Sequence, residues 1–199
     1  TLEERAEVHE TALDGHQGVG DDPVELEGFI GAQGDQAATG RDGAAGDLSG
    51  KRIVVTAGPT WEPIDPVRFV GNRSTGKMGF AVAAEAFARG AAVTLVVGPG
   101  TLEPPIGPAV TRVTTADEMR RAVLAAAPDA DAVVMAAAVA DFRPETTADA
   151  KIKKELGPPQ VRLVPTPDIL AELGSVPGTV LVGFAAETQD VEASGREKL

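Results

Sequence analysis

Three loop-like segments and one run of lysines hold most of the side chains in this sequence that could do chemistry. Thr56-Ala-Gly-Pro-Thr60 closes a β-branched run. It lacks the G-x-G-x-x-G spacing of a dinucleotide fingerprint, so NAD or FAD binding is unsupported, and a plain strand-ending turn explains it as well as a ligand loop does. Gly71-Asn-Arg-Ser-Thr-Gly-Lys77 satisfies the G-x-x-x-x-G-K spacing, but Met78 stands where Ser or Thr would hold magnesium. Its glycines also lie well beyond the end of the first strand, which argues against a true phosphate loop. The segment still opens a helix whose free N–H groups favour an anion, with Arg68, Arg73 and Lys77 adding positive charge. A capped helix start with solvated basic residues accounts for the same pattern.

Ala136-Ala-Ala-Val-Ala-Asp-Phe-Arg-Pro144 is the third segment. Small residues at a strand end let a flat ligand approach the backbone, and Asp141 would then sit where a ribose hydroxyl can be bound. Tight helix–sheet packing explains the alanines equally well. Lys151-Ile-Lys-Lys154 follows ten residues after Asp141 and reads either as a solvated basic patch or as a polyphosphate neutraliser. His9 and His16 both lie in a low-complexity stretch, no His/Asp/Glu cluster has metal-ligand spacing, and no Ser–His–Asp set can be assembled.

The elements that must position these segments follow from the apolar pattern. Arg52–Gly58, Val93–Gly98, Ala132–Val139 and Thr179–Phe184 read as buried strands, and Gln160–Val164 alternates like another. Residues 75–89 read as a helix with Met78, Ala81, Val82 and Phe87 on one face, stopped by Gly90. Thr115-Ala-Asp-Glu118 spells a capping box for a helix to about Ala127; Pro167–Leu173 reads as a short helix, and a last helix runs from near Asp190 to Leu199. Strands apolar on both faces that alternate with helices imply a Rossmann-like, doubly wound α/β fold. Its mostly parallel sheet would gather ligands at the strands' carboxyl ends.

The 199 residues carry 30 acidic and 18 basic side chains and no cysteine, a formal charge of −12. The absence of cysteine leaves no disulfide framework, no thiolate metal site and no cysteine nucleophile. The charge argues against nucleic-acid binding, and no apolar run is long enough for a spanning helix, so the expected setting is cytoplasmic. Residues 1–50 hold 12 acidic and 2 basic residues and 10 of the 23 glycines. Beyond one short helix over Leu2–Leu13, that composition reads as an acidic linker or the remnant of a preceding region, and residues 51–199 read as the folded domain. The chain opens on Thr1 and ends inside its last helix, so a piece of a longer protein is expected, with a C-terminally incomplete domain.

Seven blocks in order carry a resemblance: Thr56–Thr60, Glu62–Phe69, Asn72-Arg-Ser-Thr-Gly-Lys-Met-Gly79, Ala137–Arg143, Lys151–Lys154, Pro167-Asp-Ile-Leu170 and Gly183-Phe-Ala-Ala-Glu-Thr188. Together they resemble the phosphopantothenate–cysteine ligase (phosphopantothenoylcysteine synthetase) domain of bacterial bifunctional coenzyme A biosynthesis proteins. That family joins 4′-phosphopantothenate to L-cysteine through an acyl-cytidylate, using CTP with Mg²⁺. The domains pair as dimers, and FMN belongs only to a separate decarboxylase domain where one is present. Trp61 departs from the pattern, standing where many members carry a polar residue, most often arginine.

The resemblance implies roles residue by residue. Asn72 and Lys151 would be catalytic, with Arg68, Asn72 and Ala138 at the substrate and intermediate. Met135, Ala136, Ala137, Asp141, Lys151, Pro165, Thr166, Pro167, Asp168, Phe184 and Lys198 would bind CTP. A non-catalytic Rossmann-like nucleotide-binding or assembly module is the alternative from another class. A nicotinamide or flavin reductase is disfavoured by the missing fingerprint.

Overall fold

The computed structural model describes residues 46–184. In chain order its elements are β1 (Arg52–Ala57), β2 (Trp61–Pro63), β3 (Phe69–Gly71), α1 (Lys77–Ala88), β4 (Ala92–Val97), β5 (Ala109–Arg112), α2 (Ala116–Ala126), β6 (Ala132–Met135), β7 (Phe142–Pro144), β8 (Leu163–Pro165), α3 (Ile169–Leu173) and β9 (Val180–Gly183). Neighbouring Val54 and Val55 in β1 are both buried, which a strand permits only when both of its faces are covered. Val54, Val96 and Val133 pack with Met119 and Val123 of α2 and with Ile169 and Leu173 of α3. Val55, Val93, Leu95 and Val97 pack on the other face with Ala83 and Ala86 of α1.

The five strands of the main sheet run in the order β5-β4-β1-β6-β9, every neighbouring pair parallel. Counting only these strands, the order is 3-2-1-4-5, the doubly wound arrangement expected from the sequence. The chain goes outward from β1 to one side, then returns to lay β6 on β1's other edge. The switch point therefore lies between β1 and β6. Two antiparallel ribbons, β2–β3 and β7–β8, stand outside this sheet. Residues before β1 dock on it too: Asp47 pairs with Arg89 and Leu48 packs against the α1 face.

Several expectations shift in detail. The capping box at Thr115 and Glu118 forms as read. The strand read over Ala132–Val139 stops at Met135, because Ala137 and Ala138 instead donate their N–H groups to Thr56 Oγ1 and Gly58 O across the switch point. The strand read at Gln160–Val164 forms over Leu163–Pro165, and it pairs with β7 rather than with the main sheet. β2, β3, β5 and β7 are short pieces of three or four residues that give no periodic signal. Residues 1–45 and 185–199, which include the helices expected at Leu2–Leu13 and beyond Asp190 and also Lys198, lie outside the described residues.

The inward face of α1 also differs. Met78 and Phe87 are about half exposed, while Gly79, Ala83 and Ala86 are buried. The reason is a close helix–strand approach: a Cβ on Gly79 would lie 2.6 Å from both the Ala57 Cβ and the Thr56 carbonyl oxygen. Only glycine lets α1 rest on the end of β1. Gly79→Ala should therefore lower stability by about 1–2 kcal/mol, although Gly-to-Ala in a helix interior ordinarily adds up to about 1 kcal/mol. Urea denaturation checks this. The control is Gly100→Ala, where nothing lies within 4 Å and a change under about 0.5 kcal/mol is expected.

Candidate functional site

The carboxyl ends of β1 and β6 carry two loops that are laced together. Thr56 and Thr60 are wholly buried. The Thr56 hydroxyl accepts from Ala137 N at 3.0 Å and the Thr60 hydroxyl accepts from Ala140 N at 3.0 Å. Between them Ala138 N donates to Gly58 O at 2.9 Å, and Ala138 and Pro59 form an isolated parallel bridge. The alanine run is thus backbone held open at the switch point, with Met135 tucked into the core beneath it. Gly58 takes φ 83°, and a Cβ on Gly98 would lie 1.7 Å from Pro59 O, so the loop after β4 also needs a glycine against this turn.

α1 begins at the same place. Gly76, at φ 79°, caps the helix without a side-chain hydrogen bond, and its own Cβ would lie 3.1 Å from Gly58 N. The first-turn N–H groups of α1 are thus free to meet an anion beside the switch point. Asn72 lies on the approach to this helix, and its Nδ2 donates to the Val139 carbonyl at 2.9 Å. The structure therefore brings Asn72 and the Ala136–Asp141 loop together, although 67 residues separate the bonded pair.

The remaining expected residues reach the site through β7 and β8. Thr166 donates through its hydroxyl to Ala140 O at 2.6 Å and through its N–H to Asp141 O at 2.9 Å. Pro165 ends β8, and Asp168 caps α3 by accepting from Ala171 N at 3.0 Å. Asp141 is exposed at the start of this ribbon, while Phe184 follows β9, whose Gly183 pairs with Met135. Lys151 lies farther along, in the connection between β7 and β8. With Arg68, Lys153, Lys154 and Glu155 it lines an open groove of about 1030 Å³. Four cations against one carboxylate make that groove positive although the chain is acidic overall.

Two buried carboxylates to which sequence reasoning assigned no role, Glu62 and Asp65, hold these parts in place. Glu62 is buried and accepts from Ala116 N at 2.8 Å, so the β2–β3 ribbon caps α2 from a distance. The Trp61 ring stacks on Phe69 with centroids 4.3 Å apart, covering Gly71 across the ribbon. Asp65 is buried, and its carboxylate accepts from Val67 N and Arg68 N at 2.9 Å, from Ile152 N at 3.1 Å, and from the Arg68 guanidinium. The Arg68 guanidinium, with the three backbone donors, holds this carboxyl well below the usual carboxylate range against the opposing effect of burial. A buried acid in a short polar loop leaves no periodic trace, so only the fold exposes its role.

A parallel sheet of order 3-2-1-4-5 with its switch point between β1 and β6 defines a Rossmann-like α/β domain. The chain belongs to the DNA/pantothenate metabolism flavoprotein C-terminal domain family, whose model matches residues 48–199. It is 52% identical over 154 residues to the coenzyme A biosynthesis bifunctional protein CoaBC of Bacillus subtilis, covering 76% of this chain and 38% of that protein. The CoaBC of Mycobacterium tuberculosis strain H37Rv is 52% identical over 153 residues, covering 72% and 37% respectively. The chain thus spans less than half the length of these relatives. Among solved structures, the C-terminal domain of a CoaBC protein superposes with a TM-score of 0.67 at 44% identity, over 76% of this chain and 72% of that one.

The lowered pKa of Asp65 makes stability depend on pH. The unfolded chain takes up the proton first as pH falls, so the stabilisation is complete above about pH 4, the ordinary aspartate value, and is lost below it. Asp65→Asn should flatten the fall in urea midpoint between pH 4 and pH 3. Asp131 and Glu172 are lowered as well, the first chiefly by Arg52 N–H and the second by Arg120, so part of the fall should persist.

Proposed function

We propose that this domain performs the CTP-dependent ligation of 4′-phosphopantothenate to L-cysteine, giving phosphopantothenoylcysteine in coenzyme A biosynthesis. The observation that carries the reading is the meeting of Asn72, the Ala136–Asp141 loop and the α1 N-terminus at the switch point, in a domain that also has a basic groove lined by Arg68 and Lys151. Relatives named as bifunctional coenzyme A biosynthesis proteins, of which this chain covers 38% and 37%, support the same reading.

A carboxylate resists attack until one of its oxygens becomes part of a leaving group. In the first step a carboxylate oxygen of phosphopantothenate bonds to the α-phosphorus of CTP, and the bond to the β-phosphate bridging oxygen breaks to release pyrophosphate. In the second, the cysteine amine bonds to the acyl carbon, CMP departs with the activated oxygen, and the amine loses a proton. Both substrates of the first step are anions, so the site must hold them in line and offset their repulsion.

The roles are those the family pattern implies, applied to these positions. Lys151, with Arg68 in the same groove, neutralises the triphosphate; the free N–H groups of α1 favour a second anionic group. The backbone of Met135, Ala136, Ala137 and Ala138 forms the floor on which a flat base can lie, and Asp141 faces the ribose. Pro165, Thr166, Pro167, Asp168 and Phe184 complete the CTP site, and the family pattern assigns CTP binding to Lys198, which lies outside the described residues. Arg68, Asn72 and Ala138 meet the substrate and the acyl-cytidylate. Among the described residues no three His, Cys, Asp or Glu side chains gather into a cation cage, which suits Mg²⁺ carried on triphosphate oxygens. When bound there, Mg²⁺ would supply further charge neutralisation. FMN has no role in this domain. The complete protein acts in the cytoplasm, with ligase domains paired as a dimer.

Two variants of the complete protein test the roles. Lys151→Gln should abolish pyrophosphate release from CTP and phosphopantothenate. Asn72→Asp removes the donor to Val139 O and sets a carboxylate against that carbonyl, so pyrophosphate should still form while transfer to cysteine slows by about 10²-fold or more. Normal turnover by Lys151→Gln would overturn the triphosphate assignment.

A further inference from the structure

The connection between β7 and β8 carries Lys151 on an irregular path beside the β2–β3 ribbon. Thr147 Oγ1 donates to Pro63 O at 2.9 Å and Ala148 N donates to Ile64 O at 2.9 Å, which brings the segment alongside the turn at residues 64–68. Its last tether before the groove is different in kind. Ile152 N donates to Asp65 Oδ2 at 3.1 Å, and Ile152 O accepts from Arg68 Nη2 at 2.9 Å. An ion pair of Asp65 with Arg68 thus engages both the N–H and the C=O of one residue, as a neighbouring strand would. That residue directly follows Lys151.

Asp65 cannot itself touch a substrate. Its side chain is fully buried, Oδ1 accepts two backbone N–H groups, and Oδ2 accepts Ile152 N and the Arg68 guanidinium. Lys151 and Arg68 both line the groove, together with Lys153, Lys154 and Glu155. Arg68 is restrained by the same carboxylate that restrains the lysine's neighbour, so the separation of the two cations depends on Asp65.

Resting on the ligase reading above, we propose that Asp65 is a positioning residue, which sets Lys151 and Arg68 at a fixed spacing to receive the triphosphate. Lysine is a long side chain on an otherwise irregular segment, and a misplacement of about 1 Å in a positioned group costs about 10²-fold in rate. Charge-assisted hydrogen bonds to a buried carboxylate resist that drift better than neutral ones do.

The test is Asp65→Asn in the complete protein, read in two ways. Amide hydrogen exchange should accelerate at least about tenfold at Ile152 while Val55 and Leu95 in the sheet keep their protection. In steady-state kinetics the KM for CTP should rise at least about tenfold and kcat should fall, with the KM for cysteine within about twofold of the unaltered protein. A purely structural defect would lower the folded fraction, reducing Vmax without moving any KM, and that outcome would overturn the proposal. Unchanged exchange at Ile152 would overturn it as well. Should Asp65→Asn fail to fold, Arg68→Lys keeps a cation while losing the planar fork that spans Asp65 and Ile152 O, and the same two readouts apply. If the unaltered protein released no pyrophosphate, the ligase reading would fall, and exchange at Ile152 alone would decide whether Asp65 holds this segment.

Discussion

The seam between β1 and β6 is the constraint on which the rest of the domain depends. At a switch point two adjacent strands send their chains to opposite sides, so the backbone beyond their ends has no ladder partner. Here buried hydroxyls take the place of the ladder. Thr56 and Thr60 accept from Ala137 and Ala140, and the Gly58 carbonyl takes Ala138. A buried N–H left unpaired costs roughly 1–3 kcal/mol, so two threonines stabilise a loop that its four alanines and single valine could not fix by packing. The alanines in turn are small enough to leave their backbone accessible.

The parts that gather at the switch point are hung from this seam. α1 rests on it through Gly76 and Gly79, Asn72 reaches it through Val139, and the β7–β8 ribbon is tied to it through Thr166. The β2–β3 ribbon connects outward as well. Glu62 caps α2, and Asp65 with Arg68 grips the segment that bears Lys151. Two buried carboxylates therefore place basic side chains and helix ends, and neither faces solvent. The groove is positive within a chain of net charge −12, because four cationic side chains and one carboxylate line it.

Much of this architecture was legible in the sequence because the main strands are apolar on both faces and the α2 capping box is explicit. The parallel sheet and the positions of α1, α2 and α3 follow from those signals. The exact end of β6 did not, since Ala136–Ala140 continues the apolar pattern and only the threonines opposite divert it. The face of α1 was misjudged for a related reason: hydrophobicity favours Met78 and Phe87, while steric closeness at Ala57 selects Gly79, Ala83 and Ala86. The motif residues Asn72, Ala138 and Asp141 were found as blocks, but that Asn72 bonds to the alanine loop depends on long-range topology. Asp65 and Glu62 were missed because one buried acid within a short ribbon has no period.

The central claim is that this site activates a carboxylate on a nucleotide before any amine arrives. Its most direct test is pyrophosphate release by the complete protein given CTP, Mg²⁺ and 4′-phosphopantothenate in the absence of cysteine. The account predicts release that requires both CTP and phosphopantothenate and stops when either is withheld. Release from CTP alone, or none until cysteine is added, would contradict it.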